Sequence, residues 1–195
     1  MEHFTERQME IIGAAIELIA EKGIQKLTIK NMANRIGVAE GAIYRHFDSK
    51  MDILLGILTR FKENRIFSAD ITDSSDEGDP VGKLRALFIS HFKNFTENPA
   101  TASVIFSEEI FQNDKRLSDR VYEIMKENQR LVRDILRRGQ EGGKIRRDIS
   151  ATQLSLLITG SLRLLVTKWR LSGYQFNLIE EGDSLFETVR QVLTG

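Results

Sequence analysis

Within the short stretch Ala39 to Phe47, Arg45, Glu40 and Ala42 are residue types that can address the edges of base pairs. An arginine offers a two-point bond to guanine, a glutamate accepts from the cytosine amino group, and an alanine methyl meets the thymine methyl. Thr28 and Ser49 each read as the start of a helix, where unsatisfied N–H groups and the helix dipole favour an anion such as phosphate, and Lys50 adds full charge beside the second of these seats. The chemistry implied is non-covalent: grip on the sugar-phosphate chain and discrimination in the major groove.

Such groups need rigid elements to aim them, and the flanking residues supply the signals for those elements. Gly23 ends a preceding helix, and Thr28 caps the next, in which Ile29, Met32, Ala33 and Ile36 share one face. Gly37 breaks that helix. Ala39 to Phe47 forms the following one, with Ile43 and Phe47 inward and Glu40, Gly41, Tyr44 and Arg45 outward. Ser49 with Asp52 matches a capping box for a further helix. Gly41 inside a helix costs roughly 1 kcal/mol relative to alanine, which points to close approach of either a duplex or a neighbouring helix.

Two short helices joined by a glycine turn form a helix-turn-helix, and the ordered set here resembles the DNA-binding domain of the TetR family of transcriptional regulators. The matching residues are Thr28-Ile29, Ala33, Gly37-Val38, Gly41, Ile43-Tyr44, Phe47 and Ser49-Lys50, within roughly residues 5 to 55. The resemblance implies that the Tyr44 hydroxyl and His46 also touch the phosphate backbone. Two positions depart from the usual pattern: Ala39 stands where serine or threonine often caps the recognition helix, and Glu40 where a basic residue or proline is frequent. The DNA-facing set is therefore Thr28, Ala39, Glu40, Gly41, Ala42, Tyr44, Arg45, His46 and Lys50, on an operator of two inverted half-sites about 34–36 Å apart or a multiple of that spacing.

Net charge is zero, with 28 basic and 28 acidic residues, so the distribution of charge decides the partner. Over residues 22–50, Lys22, Lys26, Lys30, Arg35, Arg45 and Lys50 face only Glu40 and Asp48. The compensating acids lie elsewhere, notably Asp70, Asp73, Asp76, Glu77 and Asp79. A second basic cluster, Arg130, Arg133, Arg137 and Arg138 followed by Lys144, Arg146 and Arg147, reads mainly as a solvated face.

The chain has no cysteine, so disulfides and thiolate metal sites are excluded. Its three histidines, His3, His46 and His91, form no Glu-x-x-His pair, and no Walker loop or nucleophile–base spacing is present; neither a catalytic nor a metal site nor a cofactor is expected. The opening residues Met1 to Glu6 are unlike a secretory signal, and the uncharged run Ile149 to Leu162 is too short to span a bilayer. A cytoplasmic protein without membrane contact is the expectation.

Helical periodicity continues almost throughout, so the expected class is all-α: an N-terminal three-helix DNA-binding domain, residues 1–48, and a larger helical effector and dimerisation domain, residues 49–195. The first helix carries a stripe of Met9, Ile12, Ile16 and Ile19 behind a Thr5/Gln8 capping box; the fourth runs from Ser49 to Phe67. Residues 68–80 read as an acidic loop. Further helices follow over Pro80 to Asn98, Ala100 to Gln112, Lys115 to Gly139, from Ser150, and over Glu181 to Leu193. Aromatic residues in the middle helices suggest either a tight core or a cavity for a small, largely apolar effector, with Phe61, Phe88, Phe92 and Phe106 as apolar contacts and His91 and Arg163 as polar ones; Phe111 belongs to the same group. The resemblance places such an effector between the fourth and eighth helices and pairs two subunits through the last two. Leu154, Ile158, Ser161, Leu165, Leu185, Val189 and Val192 are the expected homodimer residues. The implied function is a ligand-released repressor on double-stranded DNA; an effector-independent architectural DNA binder and a helical small-molecule carrier are the alternatives.

Overall fold

The computed structural model describes residues 4–63, 79–106 and 114–195, and these form helices and connecting turns with no strand among them. The helices are α1 (Glu6–Lys22), α2 (Ile29–Ile36), α3 (Glu40–Tyr44), α4 (Lys50–Glu63), α5 (Pro80–Glu97), α6 (Pro99–Ile105), α7 (Lys115–Glu141), α8 (Ala151–Leu171) and α9 (Leu178–Thr194), with a 3-10 turn at Ile24–Lys26. The predicted loop over 68–78, the end of the fourth helix to Phe67, the end of the sixth to Gln112, and Phe111 lie outside the described residues. α9 begins nearer the N-terminus than predicted because Asn177 caps it, its side chain accepting from the amides of Ile179 and Glu180.

Packing divides the chain into two units, Met1–Asn64 with Asn98–Tyr122, and Arg65–Glu97 with Glu123–Gly195. This is not the sequence division at 48/49, because α4 and α6 both pack on α1.

In the first unit α1 is the central element, touched by α2, α4 and α6. Its start is locked by the predicted capping box: the Gln8 amide donates to Thr5 Oγ1 at 3.2 Å, and Gln8 Oε1 accepts from the Thr5 amide at 2.9 Å. With neighbours on several sides, its buried arc comprises Ile11, Ile12, Ala14, Ala15, Leu18 and Ile19. Met9 and Ile16, predicted for the stripe, are only half-buried. The inward face of α4 is as predicted, with Ile53, Leu54, Ile57, Leu58 and Phe61 all buried. α4 meets α1 closely at Gly56, where a Cβ would come within 2.9 Å of Ile12 Cδ1.

The second unit is organised by α9, which packs on α5 and α8. Phe88 meets Phe92 edge-on with centroids 5.2 Å apart and Phe186 of α9 at 5.4 Å. Phe92 lies directly over Gly182, so the glycine is the groove into which the ring fits. The turn after α7 is tied down by its own arginines: Arg147 donates to the Gln140 and Glu141 carbonyls at 2.5 and 2.9 Å, and the Arg146 amide donates to the Leu193 carbonyl at 2.9 Å. The Arg146 guanidinium pairs with Asp148 at 2.6 Å. Two residues of the predicted solvated basic face, Arg146 and Arg147, are therefore engaged in holding this turn, while Arg130 and Arg137 lie near Asp134 at 3.8 and 3.6 Å.

Replacing Gly182 with alanine forces a methyl into the fully buried Phe92 ring. Overpacking costs about 1–3 kcal/mol and exceeds the helix-propensity gain of about 1 kcal/mol. The expected outcome in a thermal melt is a Gly182→Ala midpoint lower by a few degrees.

Candidate nucleic-acid interface

The turn between α2 and α3 is built from Gly37, which holds φ 71° and ψ 37°, the left-handed region that glycine enters without strain. Thr28 caps α2, accepting from the Asn31 amide at 3.1 Å, while the Asn31 side chain donates to the Lys26 carbonyl at 2.8 Å. At five residues α3 is shorter than the predicted Ala39–Phe47, and Arg45 and His46 form the turn that follows it. The helix gives way to a turn in which the Ile43 carbonyl accepts from the His46 amide at 2.9 Å and from the Phe47 amide at 3.1 Å. Ile43, with no exposed surface, and Phe47 plug this segment into the core of the first unit.

That anchoring leaves the proposed readers outside. Thr28, Ala39, Glu40, Gly41, Tyr44 and Arg45 are exposed; Ala42, His46 and Lys50 are half-exposed. Tyr44 is 51% exposed. Gly41 is more informative still. A Cβ added there would meet nothing within 4 Å, so no neighbouring helix requires the glycine.

Electrostatics at the site differ from a simple count. Arg35 faces α1 and pairs with Glu17 at 3.1 Å and with Glu21. The hydrogen bond from Arg35 holds the Glu21 carboxyl below its ordinary value, and Glu21 and Glu17 hold the Arg35 guanidinium charged far above any working pH. Arg35 thus braces α2 on α1. At the other end, Ser49 Oγ accepts from the Asp52 amide at 3.3 Å and donates to Asp52 Oδ2 at 2.6 Å. The other Asp52 oxygen receives Arg116 at 2.7 Å, and Arg116 also holds Asp114 at 2.8 Å. An acid beside Lys50 is in this way offset by a residue remote in sequence. Lys26, Lys30, Arg45 and Lys50 remain on the surface with Thr28 and Tyr44. The contribution of Arg116 had no signal in the sequence, since it acts through a long-range contact, and the same holds for the bond from Gln8 Nε2 to the His46 carbonyl at 3.3 Å.

The other predicted sets are redistributed. Phe61 and Phe106 are buried in the first unit; Phe88, Phe92 and His91 are buried in the second, where the first two pack in the α5–α9 seam and His91 meets Phe95 edge-on at 4.6 Å. Arg163 is half-exposed, with Nη1 3.9 Å from Met125 Sδ. Of the seven expected dimer residues, Leu154, Ile158 and Val189 are buried within their own chain and offer a partner no surface, whereas Ser161, Leu165 and Leu185 are half-buried and Val192 is exposed. The outward apolar residues of α8 are instead Leu156, Leu157, Leu164 and Leu171, each more than half exposed. Leucines occur on both faces of α8, so periodicity alone does not separate its inward residues from its outward ones. Among the described residues no helix is long and apolar enough to cross a membrane, and no group of three or more His, Cys, Asp or Glu could hold a metal ion.

Comparison with known proteins gives two family matches: residues 11–57 match the model of bacterial regulatory proteins of the tetR family, and residues 61–192 match that of the C-terminal region of YsiA-like proteins. The fatty acid metabolism regulator protein of Bacillus subtilis is 26% identical over 93% of this chain and 92% of its own. Among solved structures, the fatty acid degradation regulator FadR of Bacillus halodurans superposes with a TM-score of 0.78 at 25% identity, covering 100% of this chain and 97% of its own. FadR of Bacillus subtilis, solved in complex with stearoyl-CoA, gives 0.74 at 26% identity over 94% of this chain and 98% of its own.

The Glu21 carboxyl, depressed in the folded state from 4.5, contributes stability above that value that is lost as pH falls through its folded pKa. Arg35→Gln is expected to lower the melting midpoint at pH 7, and the gap from the parent should close as the pH falls below the ordinary carboxylate range. A gap independent of pH would show that Arg35 acts by packing alone.

Proposed function

Because the chain belongs to the TetR family of bacterial regulatory proteins, and is thereby a DNA-binding transcriptional regulator, we propose that it is a cytoplasmic repressor released from an inverted-repeat operator by a long-chain fatty acyl-CoA. The observation that carries the effector class is the likeness, over 94% of the chain, to a FadR solved with stearoyl-CoA, beside the likeness to a fatty acid metabolism regulator.

On the operator, Thr28 and Lys50 bind phosphate at the starts of α2 and α4, and Tyr44 and His46 add backbone contacts that fix register. Ala39, Glu40, Ala42 and Arg45 then address the bases, with Arg45 on guanine. Gly41 lets the duplex come close to α3. Affinity depends on pairing two chains, because one half-site is short and its reading helix has an acidic residue and no cap. Leu156, Leu157 and Leu164 of α8, with Gly160 between them, and Leu165, Leu185 and Val192 form the twofold contact; contiguous exposed apolar surface of this kind marks an interface. In the second unit, His91 and Arg163 supply the polar chemistry for the thioester and phosphates. The effector shifts DNA affinity only by its preference between the two states of the protein.

The direct test selects an operator from random duplexes with the full chain, then titrates acyl-CoAs of increasing chain length, with free CoA and free fatty acid as controls. Release by the long-chain thioesters alone is expected. Selective DNA binding that no acyl compound alters would remove acyl-CoA as the effector; DNA binding with little sequence preference and no acyl response would leave the architectural reading, and stable acyl-CoA binding without DNA binding the carrier reading.

Gly41→Ala separates stability from function. Restoring a methyl to an exposed helix position with open space around it is expected to raise the melting midpoint, by the helix-propensity term of about 1 kcal/mol. The same variant should bind the selected operator more weakly, as measured by fluorescence anisotropy.

A further inference from the structure

Gln8 sits at the start of α1 and uses its two ends differently. Its Oε1 accepts from the Thr5 amide at 2.9 Å, completing the capping box, while its Nε2 donates to the His46 carbonyl at 3.3 Å across the first unit. The carbonyl it reaches belongs to the peptide between His46 and Phe47, directly after the base-facing Arg45 and directly before the plug that enters the core.

A helix as short as α3 cannot hold its own direction, since isolated helices below about 12–15 residues are marginal in water. Its N-terminal end is set by Gly37 and the Val38 amide, which donates to the Ala33 carbonyl at 3.0 Å. Ile43 fixes its middle. Its exit holds the Ile43 carbonyl between the His46 and Phe47 amides at 2.9 and 3.1 Å, bonds that stay within the segment and do not orient it against the rest of the unit. The Gln8 bond does so, and it is part-buried, where a polar contact is worth more than at the surface.

We infer that Gln8 is a positioning residue for base reading: its amide nitrogen holds the exit of the recognition helix so that Arg45 presents one angle to the groove. The inference rests on the DNA reading proposed above.

The two ends can be tested apart. Gln8→Glu keeps the acceptor that the capping box needs, and glutamate is a usual residue at that place in the box, but it replaces the donor with a carboxylate facing the His46 carbonyl. Gln8→Lys does the reverse, and Thr5→Ala removes the cap while keeping the bond to His46.

In the full chain, Gln8→Glu is expected to lower the melting midpoint by a few degrees, to speed amide hydrogen exchange over residues 43–48, and to reduce discrimination between the selected operator and a duplex altered at the Arg45 position by about fivefold, the factor of one net hydrogen bond. Gln8→Lys and Thr5→Ala should lower the midpoint and retain discrimination. The inference is overturned if Gln8→Glu leaves exchange and discrimination intact, if it weakens every duplex alike as an added negative charge would, or if Thr5→Ala gives the same loss of discrimination. Should the parent chain prefer no duplex, the DNA reading itself fails, and hydrogen exchange alone still decides whether Gln8 holds the exit of α3.

Discussion

The burial of Ile43 and Phe47 is the constraint on which the interface depends. α3 has five residues and no side-chain cap, so nothing intrinsic makes it a helix or points it anywhere. Two apolar plugs one turn apart convert it into a rigid projection of the first unit, and the Gly37 turn sets the side from which it projects. Every outward residue from Glu40 to Arg45 takes its direction from that choice. The stability of the interface is therefore a property of the first unit, in which α3 packs on α2, more than of α3 itself.

Charge is organised by the same economy. A neutral chain presents a positive edge by moving its acids out of the way: Arg35 turns toward Glu17 and Glu21 on α1, and Arg116 covers Asp52 next to the start of α4. Glu40 and Asp48 stay exposed beside the helix starts, against Lys26, Lys30, Arg45 and Lys50. The ion pairs are largely solvent-accessible, so each adds little to folding stability and matters mainly for where the residual field lies.

Much of this was legible beforehand. The caps at Thr5, Thr28 and Ser150, the glycine turn, the inward face of α4 and the aromatic face of α5 all follow from short-range rules, because each depends on residues within a turn or two. The missing cap at Ala39 was legible too. The failures share one physical origin, which is that periodicity reports an apolar stripe without saying what covers it. Met9 and Ile16 gave way to Ile11 and Leu18 because α1 is enclosed from several sides, and on α8 the leucines of both faces look alike until α5 and α9 are in place. Phe88 and Phe92 read as either pocket or core, and only the groove at Gly182 shows the second ring's contact. Gln8, Arg35 and Arg116 were misjudged or missed for a related reason: a charged or amide side chain has no preferred partner until the fold supplies one.

The leucines left outward on α8 have a consequence beyond the molecule itself. Under the twofold pairing proposed above, the spacing of Leu156, Leu157 and Leu164 around Gly160 would decide which other helices this one accepts. A chain with its leucines one turn out of step would leave gaps against that pattern, so the same face that joins two copies would also turn strangers away.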